Sequence, residues 1–286
     1  MQAEPTLKSV RISPRRRLGS GLWRLLAVLA TAAMLLVLAL IFWTVIKGSL
    51  PAWSWSVLTT PTAGLTGGLE NAILGTLWLG FLTIVGVGVI GVATASFAVV
   101  YAPLWVREML ILMSDILSGV PSIVFGYVGY MAFVVVCGWG FSALAAVVTL
   151  TMLSLPYVVR NTVQAFDKVP VEIRDAAKAL GFSRARTLWS LMWPYSLSGI
   201  ATGAILALSV AMGETAPLLY TAEWSDNLPS LALTHHSVAY LTYVVWTFIQ
   251  QPYPQANALA YMAGLLLMVV VGAMAFATRF RAMERR

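Results

Sequence analysis

Six stretches of this sequence are apolar for long enough to leave the chain one environment in which to fold. A bilayer core of about 30 Å is crossed by roughly 20 helical residues at 1.5 Å each. Residues 23–46, 72–102, 109–136, 142–159, 197–220 and 258–278 meet or approach that length. Backbone groups in lipid must be satisfied within the segment, so runs of this kind form helices. The expected fold is therefore an all-α membrane protein with six transmembrane helices. Composition agrees: 59% of residues are hydrophobic and 10% charged, with a mean hydropathy of +0.83. Soluble domains carry roughly 25% charged residues. A soluble enzyme, a disordered chain and a free nucleic-acid binder are excluded.

The first run follows a basic stretch, Arg15-Arg16-Arg17, as a cleaved leader would. Its apolar part is longer than the 7–15 residues of a leader, so it reads as a retained helix over 23–46. Residues 1–22 form a basic cytoplasmic arm suited to anionic lipid. Orientation follows from the cations. With the N-terminus inside, Lys47 is the one Lys or Arg of eighteen left outside, so both termini face the cytoplasm (N-in, C-in). Residues 231–249 are apolar too, but carry His235, His236 and several threonines, with Tyr240, Tyr243 and Trp246. They read as an interfacial or re-entrant segment, or else as an external loop on the helix ends. The single Cys137 excludes a disulfide within the chain or a thiolate metal site, and two adjacent histidines do not make a metal site.

The loop over 161–194 is the most informative stretch. Pro170 suits a helix start, and Glu172 and Asp175 follow near the positive end of the helix dipole. Ile173, Ala176, Ala177 and Leu180 recur at helical spacing and form one apolar face. Gly181 stands at the expected stop, and Ser183 can cap a second helix. Such a short amphipathic helix either enters a groove on a partner or lies on the membrane surface.

Ionisable groups inside spans need a reason. Glu214 lies in Gly213-Glu214-Thr215-Ala216-Pro217. Pro217 cannot donate to the carbonyl of Gly213 and invites a kink. Two roles fit Glu214: a pathway or gate element that organises a hydrogen-bond donor, or an interhelical structural bond. Asp115 suits an interfacial contact, or a pair with Arg107 or another chain. Gly119, Pro121 and Ser122 weaken the third span midway, giving a packing kink or a wall for an aqueous cavity. Arg160, at the end of the fourth span, either snorkels to headgroups or faces an anion.

Asp175-Ala176-Ala177, three residues, Gly181, nine residues and Leu191-Met192-Trp193-Pro194 resemble the "EAA" signature of ABC-importer permeases. Asp replaces the usual Glu and Trp193 the usual Leu. Together with Gly67–Leu77, Gly119–Gly126 and Gly213–Leu219, this resembles the PstA permeases of phosphate-specific ABC importers. The resemblance implies a type I (MetI-like) permease domain over 65–280. It implies that the helix carrying Glu172, Asp175, Ala176, Ala177, Leu180 and Gly181 docks on an ATPase. It puts Arg160, Ser122, Glu214 and Thr215 on the translocation pathway, with Pro121 and Pro217 as kinks. Arg160 matches an arginine of such sequences, whereas Val210 stands where they often carry another, four residues before the Glu.

The implied partners are a homologous PstC-like permease, a PstB-like ATPase dimer and a periplasmic or lipid-anchored PstS-like binding protein. Phosphate is the implied cargo, with no nucleic acid. The implied location is a bacterial or archaeal cytoplasmic membrane. No phosphate-binding G-x-x-x-x-G-K-[ST] loop occurs, so ATP and Mg²⁺ are expected on the partner, with no cofactor or metal in this chain and no catalysis by it. The same scaffold could carry sulfate or molybdate. An ion-coupled carrier using Asp115 and Glu214 is the alternative of a different class.

Overall fold

The structure is a computed structural model that describes residues 14–283, with side chains over 23–277. Most of the basic arm, residues 1–13, and the last three residues lie outside that description. α1 (Pro14–Ser49) extends beyond the expected span at both ends, and its apolar side chains from Trp23 to Ile46 are almost all exposed. The chain divides after Lys47, so α1 up to that residue falls in one unit and everything from Gly48 onward in a second.

The second unit opens with a short helix, α2 (Trp55–Thr59), and a hairpin of β1 (Thr62–Ala63) with β2 (Thr66–Gly67). Asn71, fully buried in the first turn of the next helix, holds the hairpin down. Its Oδ1 accepts from the Thr62 amide at 3.0 Å and hydroxyl at 2.9 Å. Its amide donates to the carbonyl of Ser225 at 3.0 Å.

The long helices follow: α3 (Glu70–Val100), α4 (Leu104–Gly119), α5 (Ser122–Gly129) and α6 (Ala143–Asp167). A wider π-turn, Tyr130–Val136, extends α5. The cytoplasmic helices are α7 (Val171–Ala179) and α8 (Arg184–Thr187), the latter leading through a π-turn into α9 (Trp193–Gly213). Then come α10 (Ala216–Thr221), α11 (Leu241–Tyr243) and α12 (Pro254–Met283). Among the described residues five helices are long and apolar enough to cross a membrane, or six if the bent pair of α4 with α5 and its π-turn counts as one span.

α6 is the central post, flanked by α3 and α9. Its small and polar residues Ala145, Ala146, Thr149, Ser154 and Thr162 are buried. Neighbouring helices approach it closely through glycines: a Cβ on Gly91 would stand 2.9 Å from Val158, and one on Gly203 would stand 2.6 Å from Asn161. Close approach at small residues is how helices associate in lipid, where apolar burial gives little drive.

Three expectations change. The third span is not one kinked helix: α4 and α5 meet at 97°, because Gly119 ends the first and Pro121 caps the second. The fifth is likewise broken, with Glu214 and Thr215 between α9 and α10. The fourth does not stop at Arg160. It continues for two more turns to Asp167, so residues 161–167 belong to the helix rather than to the loop. Residues 231–249 do not simply present their aromatics to a membrane surface: from Val238 on the segment folds inward over the starts of α3 and α12, which agrees with a re-entrant segment or a loop packed on the helix ends. Val238, Ala239, Tyr240, Leu241, Val244 and Phe248 are core residues, packed with Leu69, Leu79 and Leu259. Two hydroxyls hold this segment: Thr76 Oγ1 accepts from the Leu241 amide, and Thr242 Oγ1 donates to the Glu214 carbonyl, each at 2.8 Å.

Candidate functional site

The two broken helices bring their breaks together. α5 packs on α10, with Gly126 against Pro217. At the breaks, the Ser122 hydroxyl and the Glu214 carboxyl come together. The two residues line one cleft of about 220 Å³, together with Ser118, Val120, Phe125, Leu153 and Tyr157. Irregular backbone survives at membrane depth only where protein or a cavity covers it, and here both occur. Pro217 lies in the first turn of α10, where its missing N–H leaves no bond unmade. Thr215 caps that helix, and its carbonyl accepts from the Leu219 amide at 3.0 Å. Val210, one turn before Glu214 on α9, is half-buried and apolar.

Arg160 stands in an ion pair. Its guanidinium contacts the Asp115 carboxylate across the interface of α4 and α6. A second pair joins the same helices: Arg107 donates to Asp167 at 2.6 Å. Asp115 was expected beside Arg107 or another chain, and it takes Arg160 instead. Periodicity gives no cross-helix register, so the choice was not readable from the sequence.

The cytoplasmic helix is built as its residues dictate. Pro170 caps α7, Glu172 stands in the first turn, and Asp175 pairs with Lys178 at 2.9 Å. The helix stops at Leu180. The Phe182 amide donates to the Ala177 carbonyl at 3.0 Å, and the Gly181 amide to that of Lys178 at 2.9 Å. That is a Schellman turn, and it needs the left-handed φ of +72° that Gly181 supplies. The Ser183 hydroxyl accepts from the Arg186 amide at 3.2 Å and caps α8. Arg186 lies over the Phe182 ring, 4.1 Å from its centroid. Arg174 donates to the Phe166 carbonyl, tying α7 to the end of α6.

The apolar face of α7 divides. Ala177 is buried against the chain itself, whereas Val171, Ile173, Ala176 and Leu180 are exposed, Leu180 at 74%. Periodicity cannot tell which of two neighbouring alanines turns inward. Among the described residues no three His, Cys, Asp or Glu side chains converge as a metal site would require.

A family model described as "Binding-protein-dependent transport system inner membrane component" matches residues 88–286. The chain belongs to this family. Similar permeases include the phosphate transport system permease protein PstA 2 of Mycobacterium bovis, 41% identical over 90% of this chain and 86% of that one. PstA of Xylella fastidiosa is 34% identical over 80% of each chain. PstA of Yersinia pestis is 34% identical over 86% of this chain and 85% of its own. The fold matches the inward-facing MetNI methionine ABC transporter with a TM-score of 0.58, at 19% identity, over 75% of this chain and 95% of that chain. The PstA resemblance carried by a few short motifs thus extends over most of the sequence, on a MetI-like scaffold. As a permease of this family the chain spans the membrane, is not itself the catalytic subunit, and works with ATP-hydrolysing and solute-binding partners.

Proposed function

We propose that this permease is the PstA-type half of an ATP-driven phosphate importer. The observation that carries the reading is the 41% identity, over 90% of the chain, to a permease named for phosphate transport. The geometry supports it with a polar cleft between two broken helices and a cytoplasmic helix with an uncovered apolar face. In this reading a PstC-like permease completes the pathway, and a PstS-like protein delivers phosphate from outside. The assembly sits in the cytoplasmic membrane of a bacterium or archaeon. Two PstB-like ATPases bind ATP and Mg²⁺, and no cofactor resides in this chain.

α7 enters the ATPase through Ile173, Ala176 and Leu180, with Glu172 and Asp175 at its charged border. Ala177 and Gly181 shape the helix and its turn from the inner side. Because Arg174 holds the last turn of α6, movement of α7 is passed to the helix that carries Arg160 and Tyr157. Ser122, Glu214 and Thr215 line the pathway where Pro121 and Pro217 start new helices. With Val210 apolar, Arg160 supplies this chain's cation for the anion, since a planar guanidinium matches an oxyanion with two parallel donors.

The test is to purify the chain with its partner subunits, reconstitute the complex with ATP, and measure uptake of radiolabelled phosphate against sulfate. ATP-dependent phosphate uptake that sulfate does not compete is expected. Uptake of another oxyanion would keep the scaffold and change the cargo. Uptake without the ATPase would overturn the reading.

A further inference from the structure

The cleft between α5 and α10 has no cation in its wall; its polar members are Ser118, Ser122, Tyr157 and Glu214. The guanidinium of Arg160 stands one helical turn along α6 from Tyr157, and Asp115 one turn along α4 from Ser118. The ion pair therefore lies next to the cleft, one turn beyond a lining residue on each of the two helices. Neither side chain is closed off: Arg160 is 44% and Asp115 39% exposed. The Asp115 oxygen that meets Arg160 is itself shielded and takes no hydrogen bond from another group among the described residues, so a competing anion need displace only this ion pair. An oxyanion in the cleft would meet this guanidinium already occupied by a carboxylate, and the two anions compete for the same donors.

We propose that Asp115 is an exchangeable counter-anion for Arg160. While the cleft is empty, Asp115 neutralises the guanidinium and holds it beside the cleft. A transported oxyanion displaces the carboxylate and takes its donors. When the carboxylate returns to Arg160, the anion is released toward the cytoplasm. Asp115 is a positioning residue that acts through Arg160, and it sets how tightly the cleft retains its cargo.

The inference rests on the oxyanion-import reading, which the uptake experiment on the wild-type complex tests separately. The test of Asp115 uses the purified complex without its solute-binding protein, and reads radiolabelled phosphate binding by equilibrium dialysis. Asp115→Asn is expected to tighten binding about fivefold, since Arg160 loses its competitor. The same variant lowers the maximal rate of ATP-driven uptake, because release loses the returning carboxylate. In an Arg160→Gln background, Asp115→Asn leaves binding unchanged. Asp115→Glu, which keeps the charge, stays within about twofold of wild type. A purely structural pair would not tighten binding when broken. Unchanged, weakened or undetectable phosphate binding in Asp115→Asn overturns the proposal, as does equal tightening in the Arg160→Gln background. If Asp115→Asn does not assemble, Asp115→Ser is measured in its place. Failure of both to assemble, with Asp115→Glu intact, makes the pair structural and overturns the proposal as well.

Discussion

Gly126 of α5 and Pro217 of α10 touch backbone to backbone: a Cβ on the glycine would stand 2.9 Å from the proline Cα and 3.1 Å from the Ala216 carbonyl oxygen. This contact joins the two helix breaks. Gly126→Val forces them apart, and overpacking of this kind costs about 1–3 kcal/mol. The expected result is a lower melting temperature of the purified complex and loss of uptake, with Gly126→Ala intermediate. A valine variant that melts and transports as wild type would show that the breaks need not touch.

The meeting of Ser122 with Glu214 predicts a graded series. Ser122→Ala removes the hydroxyl beside Glu214, a polar contact on the scale of about 1 kcal/mol, and should slow uptake roughly fivefold. Glu214→Gln keeps the shape and removes the charge. It is expected to reduce uptake while the ATPase still co-purifies. Should Glu214→Gln transport at the full rate, Glu214 has no part in the pathway beyond structure.

On α7 the inward and outward residues should fail differently. Leu180→Glu leaves the helix folded and weakens ATPase association, because Leu180 is exposed in the isolated chain. Ala177→Glu buries a charge against the chain itself and should lower expression of the permease before any question of docking arises. Co-purification and membrane yield separate the two. Equal loss of yield in both variants would contradict this division of the helix.

Asn71 makes a stability prediction remote from the cleft. Asn71→Ala orphans the buried Thr62 amide, at about 1–3 kcal/mol, and the part-buried Ser225 carbonyl at less, while the Thr62 hydroxyl keeps the Gly68 carbonyl as acceptor. Thermal unfolding in detergent should show the loss, and surviving protein should keep its cleft chemistry. A wild-type melting temperature would mean that the hairpin is held elsewhere.

The spans were legible because lipid demands length and hydropathy together, and residues 72–102 and 258–278 supply both in single runs. The breaks were half legible. Pro121 and Pro217 announce a disturbance, but a kink and a 97° turn have the same residues in sequence. The burial of residues 238–242, Val244 and Phe248 was hidden by the composition around them, in which His235 and His236 are indeed exposed. His235, His236 and the threonines look external, yet Thr242 is buried and satisfies its hydroxyl on the Glu214 carbonyl. The pairing of Asp115 with Arg160 depends on helix register, which only packing decides.

The two ion pairs between α4 and α6 run with opposite polarity. Along α4 the order is cation then anion, Arg107 then Asp115; the matching partners on α6 are Asp167 and Arg160. The helices are thus antiparallel and keyed. A slip of α4 by eight residues, about 12 Å at the helical rise, would set Arg107 against Arg160, cation to cation. Shorter slips leave all four charges unmatched. While both pairs are closed they oppose sliding of α4 along α6, and once Asp115 leaves Arg160 the pair of Arg107 with Asp167 alone keeps that register.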